Sequence, residues 1–261
     1  MTQSLSIFYA FLRRDFYNAW KTTKDIAFNW AILVPVMYVC MNGYIQPGVM
    51  LGKTSQLNMV MFIGSILLSV QVLSFKASIE LLFDLLGDRF IDYQLTLLSP
   101  RLIIIERIFF ATCYTFALLL PYYPMSKLLL GDLFNTQATS WPAVILVLTA
   151  SAFLISAYNI FICCILNAPH ELRKVWVRIN NPLFMLGGFW APWYVVMKAS
   201  PILGYLSLAN PFMYMSEGLR SAFLGTPDFF PVPLCVAVLL GLGCVFTFLA
   251  LRQFKRRVDH I

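Results

Sequence analysis

The sequence predicts an all-α integral membrane protein with six transmembrane helices. Of its 261 residues, 60% are hydrophobic and 12% are charged, and the mean hydropathy is +0.76. The apolar residues are gathered into long runs, and a run of about 20 is enough to cross a bilayer as a helix. These runs take up most of the chain, so we expect one transmembrane domain over residues 1–261 and no separate soluble catalytic domain.

Six apolar runs give the positions of the expected spans. They are approximately residues 26–45, 57–75, 102–122, 141–166, 179–197 and 230–251. Pro35 lies near the middle of the first run and predicts a kink there, because proline removes a backbone donor from the helix.

The polar residues inside these runs predict helix packing rather than catalysis. They are mostly amides such as Asn159 and Asn180, which more often join neighbouring helices than bind a substrate. Glu106 and Arg107 fall in the first turns of the third run, from which we expect them to reach the interface by snorkelling. No pair of acids lies at mid-membrane for a proton relay, so the energy for any transport is expected to come from another protein.

The N-terminal segment, residues 1–25, is predicted to form an interfacial helix. One side of its helical projection carries the apolar residues Leu5, Phe8, Tyr9, Leu12, Phe16 and Trp20. Basic and polar residues fall mostly elsewhere, a pattern typical of a helix that lies along the membrane surface. A soluble helix that packs against protein is the alternative.

The basic residues predict the orientation of the chain. With six spans both termini lie on one side of the membrane, and that side receives most of the 19 Lys and Arg residues; the exceptions are Lys53, Lys127, Lys198 and Arg220. Cytoplasmic loops carry an excess of Lys and Arg, so both termini are expected in the cytoplasm. The same distribution accounts for the net charge of +7 without nucleic acid as a partner.

The largest segment on the cytoplasmic side, residues 76–101, mixes charges with regularly spaced Leu and Phe. A short helix within it would carry exposed charges and an apolar flank. Such a helix can fit a groove on a soluble partner, with apolar anchors and charges that set the register. A solvated extension of the second span is the alternative.

A second charged segment, residues 201–228, lies between the fifth and sixth runs on the outer side. Asn210 suits the N-cap of a helix, Pro211 its first turn and Gly225 the residue after its last turn. The enclosed stretch of roughly 16 residues is too short to span a bilayer. It predicts a short amphipathic helix at the outer membrane boundary.

Glu217 and Arg220 are spaced i, i+3 on that short helix. They could pair and so lower the cost of placing charge near hydrocarbon. Ordinary solvation in the interface is the alternative. Phe212, Met215, Leu219 and Phe223 are expected to share its apolar face.

Patterns typical of an enzyme are missing from the sequence. His170 and His260 are the two histidines, and neither has the spacing of a metal ligand. The stretch from Gly48 to Thr54 is similar to a P-loop, but three residues rather than four separate its glycines. We therefore expect no catalytic residue, no metal site and no cofactor bound by this chain.

Several of these features together resemble the membrane-spanning permease subunits of ABC exporters. The relevant branch includes capsule and O-antigen polysaccharide exporters, nodulation-factor exporters and antibiotic-efflux permeases. The resemblance covers essentially the whole chain and is carried by the interfacial helix, the connector Leu97-Leu98-Ser99-Pro100-Arg101, the basic connector at residues 167–178, and Asn210-Pro211-Phe212-Met213-Tyr214 followed by Glu217-Gly218-Leu219-Arg220. The dense Arg/Glu run that precedes the Leu-Leu-Ser-Pro segment in many members is missing here.

The resemblance implies roles for particular residues. A coupling helix at residues 88–98 would dock on the ATPase through Asp88, Arg89, Phe90, Asp92, Tyr93, Leu97 and Leu98. Short re-entrant helices would close the outer end of the path, with Asn210, Pro211, Tyr214, Glu217 and Arg220 at the gate. Trp190, Trp193 and Tyr194 could line the substrate path, although aromatic residues at this position are also typical of an interfacial belt.

The resemblance also implies the partners and the location. A separate P-loop ABC ATPase would bind ATP and Mg²⁺, and a second copy of this chain would complete a homodimer. The assembly would lie in the bilayer of a bacterial inner membrane and export a glycan, a glycolipid or an amphipathic or hydrophobic compound. A membrane scaffold that recruits a cytoplasmic partner without transport, and an intramembrane enzyme acting on lipid, are the alternative hypotheses.

Overall fold

The computed structural model describes residues 2–26, 55–86, 90–130 and 138–258, together with isolated positions between 28 and 37. All regular structure in these residues is helical, which confirms the predicted all-α class. Most of the first predicted span, and the coupling residues Asp88 and Arg89, lie outside the described residues.

The described residues form the following helices, in chain order. They are α1 (Thr2–Ile26), α2 (Ser55–Leu86), α3 (Phe90–Leu97), α4 (Pro100–Leu119), α5 (Tyr122–Leu130), α6 (Trp141–Ile165), α7 (Glu171–Val175), a π-helical turn (Trp176–Asn180), α8 (Asn181–Leu186), α9 (Trp193–Ala199), α10 (Pro201–Ser207), α11 (Pro211–Leu224) and α12 (Val232–Val258).

Within the described part of the chain, four helical segments are long and apolar enough to cross a membrane. They are Phe62–Leu86, Pro100–Pro124, Trp141–Ile165 and Val232–Val258. These segments match the second, third, fourth and sixth predicted spans. Helix α2 continues to Leu86, so the first part of the expected cytoplasmic segment 76–101 extends the second span, and only the later part forms the separate helix α3.

The fifth predicted span, residues 179–197, is not one continuous helix. Helix α8 ends at Leu186, residues 187–192 are not helical, and the next helix, α9, begins at Trp193. Gly188 has φ +80°, a left-handed conformation that glycine adopts without strain and that a right-handed helix excludes. Pro192 directly precedes α9. Because proline has no backbone N–H to donate, α9 cannot continue further toward the N-terminus of the chain through this residue. The fifth predicted span is therefore not a single helix in the structure.

Helix α6 lies at the centre of the packed helices. It contacts α2, α4, α11 and α12, and its pairing with α12 is the most extensive. Ser74 Oγ of α2 lies 3.1 Å from Ser156 Oγ of α6 and accepts a hydrogen bond of 3.2 Å from Asn159 Nδ2. The Tyr158 hydroxyl donates to Asn180 Oδ1 at 2.7 Å. The prediction that span amides join helices is confirmed at Asn159 and Asn180.

Helix α1 has the amphipathic character that the sequence predicts. It packs along α4, where the rings of Phe16 and Phe110 meet edge to face at 5.1 Å. Several members of its predicted apolar side remain exposed, among them Leu5, Tyr9 and Trp20. This exposure favours a helix whose apolar side meets a membrane over one that buries that side against protein.

Candidate functional site

Helix α11 begins and ends where its sequence predicts. The Asn210 side chain accepts a hydrogen bond of 3.0 Å from the Phe212 amide, and its Nδ2 donates to the Leu183 carbonyl at 2.5 Å. Pro211 occupies the first turn, and Gly225 ends the helix with φ +62°. The Asn210 side chain thus caps α11 and also joins it to α8.

The surroundings of α11 differ from those expected of a boundary helix. Its predicted apolar face is buried, and so are residues on the opposite face, including Glu217 and Arg220 at 0% exposure. Gly218 explains part of this close packing, since a Cβ there would lie 2.9 Å from Cys235 Cβ of α12 and 3.2 Å from Val147 Cγ1 of α6. The helix is therefore inserted between α6 and α12 rather than laid on the surface, and solvation of its charges in the interface is excluded.

Glu217 and Arg220 form a buried ion pair that holds the interruption in the fifth predicted span. Arg220 Nη1 lies 3.0 Å from Glu217 Oε1, and Arg220 Nη2 donates to the Gly188 carbonyl. Glu217 Oε1 also accepts a hydrogen bond of 2.9 Å from the Trp193 amide, one of the N–H groups that a helix leaves unpaired at its start. Both ends of the 188–193 loop are thereby fixed to α11.

Burial disfavours the charged form of both Glu217 and Arg220. The opposite charge of the partner stabilises each of them. Burial raises the pKa of Glu217, while Arg220 and the amides of Trp193 and Phe230 act in the opposite direction. Burial lowers the pKa of Arg220, and the Glu217 carboxylate opposes that shift. Each charge is thus stabilised chiefly by the other, because little water reaches either group.

The predicted aromatic path residues separate into two groups. Trp193 belongs to the buried site: its Nε1 donates to the Gly204 carbonyl at 2.9 Å, and its ring lies 5.2 Å from that of Phe230, which also contacts Tyr214 at 5.7 Å. Trp190 and Tyr194 are exposed, and Tyr194 lies within electrostatic reach of Arg220. Trp190 instead packs against its neighbour Phe189.

At the other end of the molecule, α3 presents a mixed outward face. Ile91, Gln94 and Leu98 are buried, and Ile91 and Leu98 belong to a core cluster with residues of α2 and α4. Asp92, Tyr93 and Leu97 point outward, and Tyr93 is 57% exposed. Leu98 is therefore an anchor of α3 and is not available to a partner. Phe90 begins the helix.

A buried charge cluster next to α3 was missed by sequence reasoning. Arg107 Nη1 lies 3.0 Å from Asp15 Oδ2 of α1, and Arg107 Nη2 contacts Asp84 of α2. The neighbouring Glu106 carboxylate lies 3.7 Å from Arg107 Nε. Arg107 is 2% exposed and Glu106 is 1% exposed, so the expectation that both snorkel to the interface was wrong.

One signal in the sequence could have indicated this cluster. An arginine inside an apolar run is costly unless a carboxylate pairs with it, so Arg107 predicts an acidic partner on a neighbouring helix. Asp15 and Asp84 are such acids, but the sequence does not say which acids meet Arg107. The ion pairs tie α1, α2 and α4 together close to where α3 begins.

The described residues contain no group of three or more His, Cys, Asp or Glu side chains placed to hold a metal ion. No protein-family model, no curated protein and no solved structure matches this chain. The two buried charge sites and the outward face of α3 are the features of the described residues that bear on its function.

Proposed function

We propose that this chain is the membrane-spanning subunit of an ATP-driven exporter and couples to a separate ATPase in a bacterial inner membrane. In this proposal it crosses the membrane six times with both termini in the cytoplasm. Residues 26–45 supply the first crossing and the interrupted segment between α6 and α11 supplies the fifth. Two copies pair around a path for a glycan, a glycolipid or an amphipathic compound.

The observation that carries the proposal is the outward face of α3. Asp92, Tyr93 and Leu97 combine a charge, an aromatic ring and an aliphatic group on a surface that the rest of α3 holds in place. Such a face suits a groove on a soluble ATPase, with Tyr93 and Leu97 as anchors and Asp92 setting the register.

The connection from α3 to α4 supports a lever. The Leu98 amide donates to the Gln94 carbonyl at 2.8 Å, and the Leu102 amide donates to the Ser99 carbonyl at 3.0 Å, so the chain turns from one helix into the next without a flexible linker. A displacement of α3 is then passed to α4 and, through Arg107, to α1 and α2. For such a lever to act, the ATPase must contact α3 differently in its two nucleotide states.

The outer site supports a closing element at the far end of the path. Helix α11 is a buried half-span, and Glu217 and Arg220 fix it to the loop at residues 188–193. Helices α2 and α6 both pack against α11, so a shift of either one would act on the helix that carries this ion pair. In the proposed cycle the path opens outward when the loop and α11 separate.

The test is coupling of ATP hydrolysis through α3. The chain is purified from native membranes with its bound P-loop ATPase, and hydrolysis is compared in proteoliposomes for the wild type, Asp92→Arg and Tyr93→Ala. The control is Asp228→Arg, the same charge reversal at an exposed residue near the start of α12. Loss of stimulated hydrolysis in both α3 variants, with normal hydrolysis in the control, supports the proposal.

Two other results argue against it. Wild-type hydrolysis in both α3 variants would remove α3 from the coupling path. Copurification of a cytoplasmic protein that hydrolyses no ATP, and that is lost in the same variants, would favour the scaffold hypothesis instead.

A further inference from the structure

An apolar cavity of about 170 Å³ lies between α2, α4, α6 and the C-terminal end of α11. We propose that it binds a segment of an acyl chain from a membrane lipid. The inference does not depend on export, because it concerns the contact between the protein and its bilayer.

The apolar character of the cavity lining favours a hydrocarbon ligand. All of its described lining residues are aliphatic or aromatic, with Ile66, Leu119 and Leu148 among the aliphatic ones. Tyr122, Tyr123 and Trp141 carry the polar atoms of the lining, and the Tyr122 hydroxyl already accepts a hydrogen bond of 3.3 Å from Ser69 Oγ. Water is stable in a cavity only with several polar partners, whereas an apolar cavity of about 150 Å³ stays dry and binds benzene.

The position of the cavity selects a bilayer lipid as the source of that hydrocarbon. Its wall includes Leu120 and Ile145, which are 58% and 51% exposed on two of the helices long enough to span a membrane. In a bilayer these side chains contact acyl chains, so the cavity continues the surrounding hydrocarbon. Tyr123 and Trp141, whose rings lie 4.3 Å apart, mark the end where aromatic residues meet the headgroup region.

An acyl segment in this cavity would contact α11 directly. Phe223 of α11 lines the cavity, and its ring centroid lies 6.3 Å from that of Trp141. The Ser140 amide donates to the Ala222 carbonyl at 2.9 Å, which joins the end of α11 to the start of α6. Binding of lipid would therefore bury apolar surface on three spans and stabilise the end of the half-span helix.

The experiment is photolabelling with phosphatidylcholine that carries a diazirine within one acyl chain. The chain is reconstituted into vesicles of this lipid and labelled residues are mapped by mass spectrometry. Ile66 and Val144 are the informative residues, because both line the cavity and are only 3% exposed, out of reach of lipid that merely surrounds the protein. We expect both to be labelled.

Leu148→Phe fills the cavity, and Leu146→Phe is the matched control on the exposed side of the same helix. We expect labelling of Ile66 and Val144 to be lost in the first variant and kept in the second, with Leu120 labelled in both. Ile145→Trp blocks the cavity from its exposed wall and repeats the test if Leu148→Phe fails to fold.

Two outcomes overturn the proposal. Labelling confined to exposed residues in the wild type would mean that lipid does not enter, as when another segment of this chain or a second copy covers the cavity. Labelling of Ile66 and Val144 that persists in both filled variants would mean that the label reaches them by another route.

Discussion

Removal of Arg220 is the most direct test of the buried ion pair. Arg220→Met keeps most of the side-chain volume but leaves the Glu217 carboxylate with backbone amides as its partners and removes the donor from the Gly188 carbonyl. Loss of one member of a buried pair costs about 3–5 kcal/mol, because the other charge stays buried without compensation. Both side chains are 0% exposed, so we expect the free energy of unfolding to fall by an amount within that range.

A double-mutant cycle separates the pair from its surroundings. Unfolding is measured in mixed micelles for Glu217→Gln, Arg220→Met and the double variant. We expect the double variant to recover about 2 kcal/mol or more relative to the sum of the single changes, since contacting residues couple by about 0.5–3 kcal/mol and this pair is fully buried. Lys198→Met, which removes an exposed cation from the same side of the molecule, should change stability by less than about 1 kcal/mol.

The reasoning would be refuted if Arg220→Met behaved like Lys198→Met. An exposed ion pair contributes only about 0–1 kcal/mol, so a loss of that size would mean that water reaches Glu217 and Arg220 in the folded protein. The loop at residues 188–193 would then be held to α11 by packing alone.

Three further changes test other parts of the fold. Arg107→Leu should lower the free energy of unfolding by about 3–5 kcal/mol and make α1 more susceptible to trypsin in detergent micelles. Arg107→Lys keeps the positive charge and should increase cleavage less. Equal cleavage of the wild type and Arg107→Leu would contradict the link to Asp15. Gly188→Ala should cost about 1–3 kcal/mol in thermal unfolding, because φ +80° strains alanine and its Cβ meets Ser216 Oγ. Asn210→Ala should lower stability by about 0.5–2 kcal/mol through loss of the cap, and Asn210→Ser should restore part of it; equal stability of both variants would exclude a capping role.

The features that the sequence predicts correctly depend on neighbouring residues. The limits of α11 follow from Asn210, Pro211 and Gly225, each of which acts on backbone within one turn. The long spans follow from uninterrupted apolar composition, and α3 follows from the change in composition before Ser99 and Pro100.

The features that the sequence does not predict depend on contacts between distant segments. Residues 187–192 are as apolar as the helices beside them, and the loop is formed where Gly188 can bring its carbonyl to Arg220. The burial of Glu217 depends likewise on the Trp193 amide, which becomes its partner only because α9 begins there. The sequence pattern alone places charged residues on a polar surface. It does not reveal the partner on another segment that allows these residues to be buried.

The contact between Asp15 and Arg107 also constrains how the protein is made. Asp15 leaves the ribosome well before Arg107, and in the folded chain it is buried against that arginine with 0% exposure. During synthesis the Asp15 carboxylate therefore has Arg14 beside it but lacks Arg107 until α4 has formed. Helix α1 can therefore take its final position only after α4 is in place, although its own residues are synthesised much earlier.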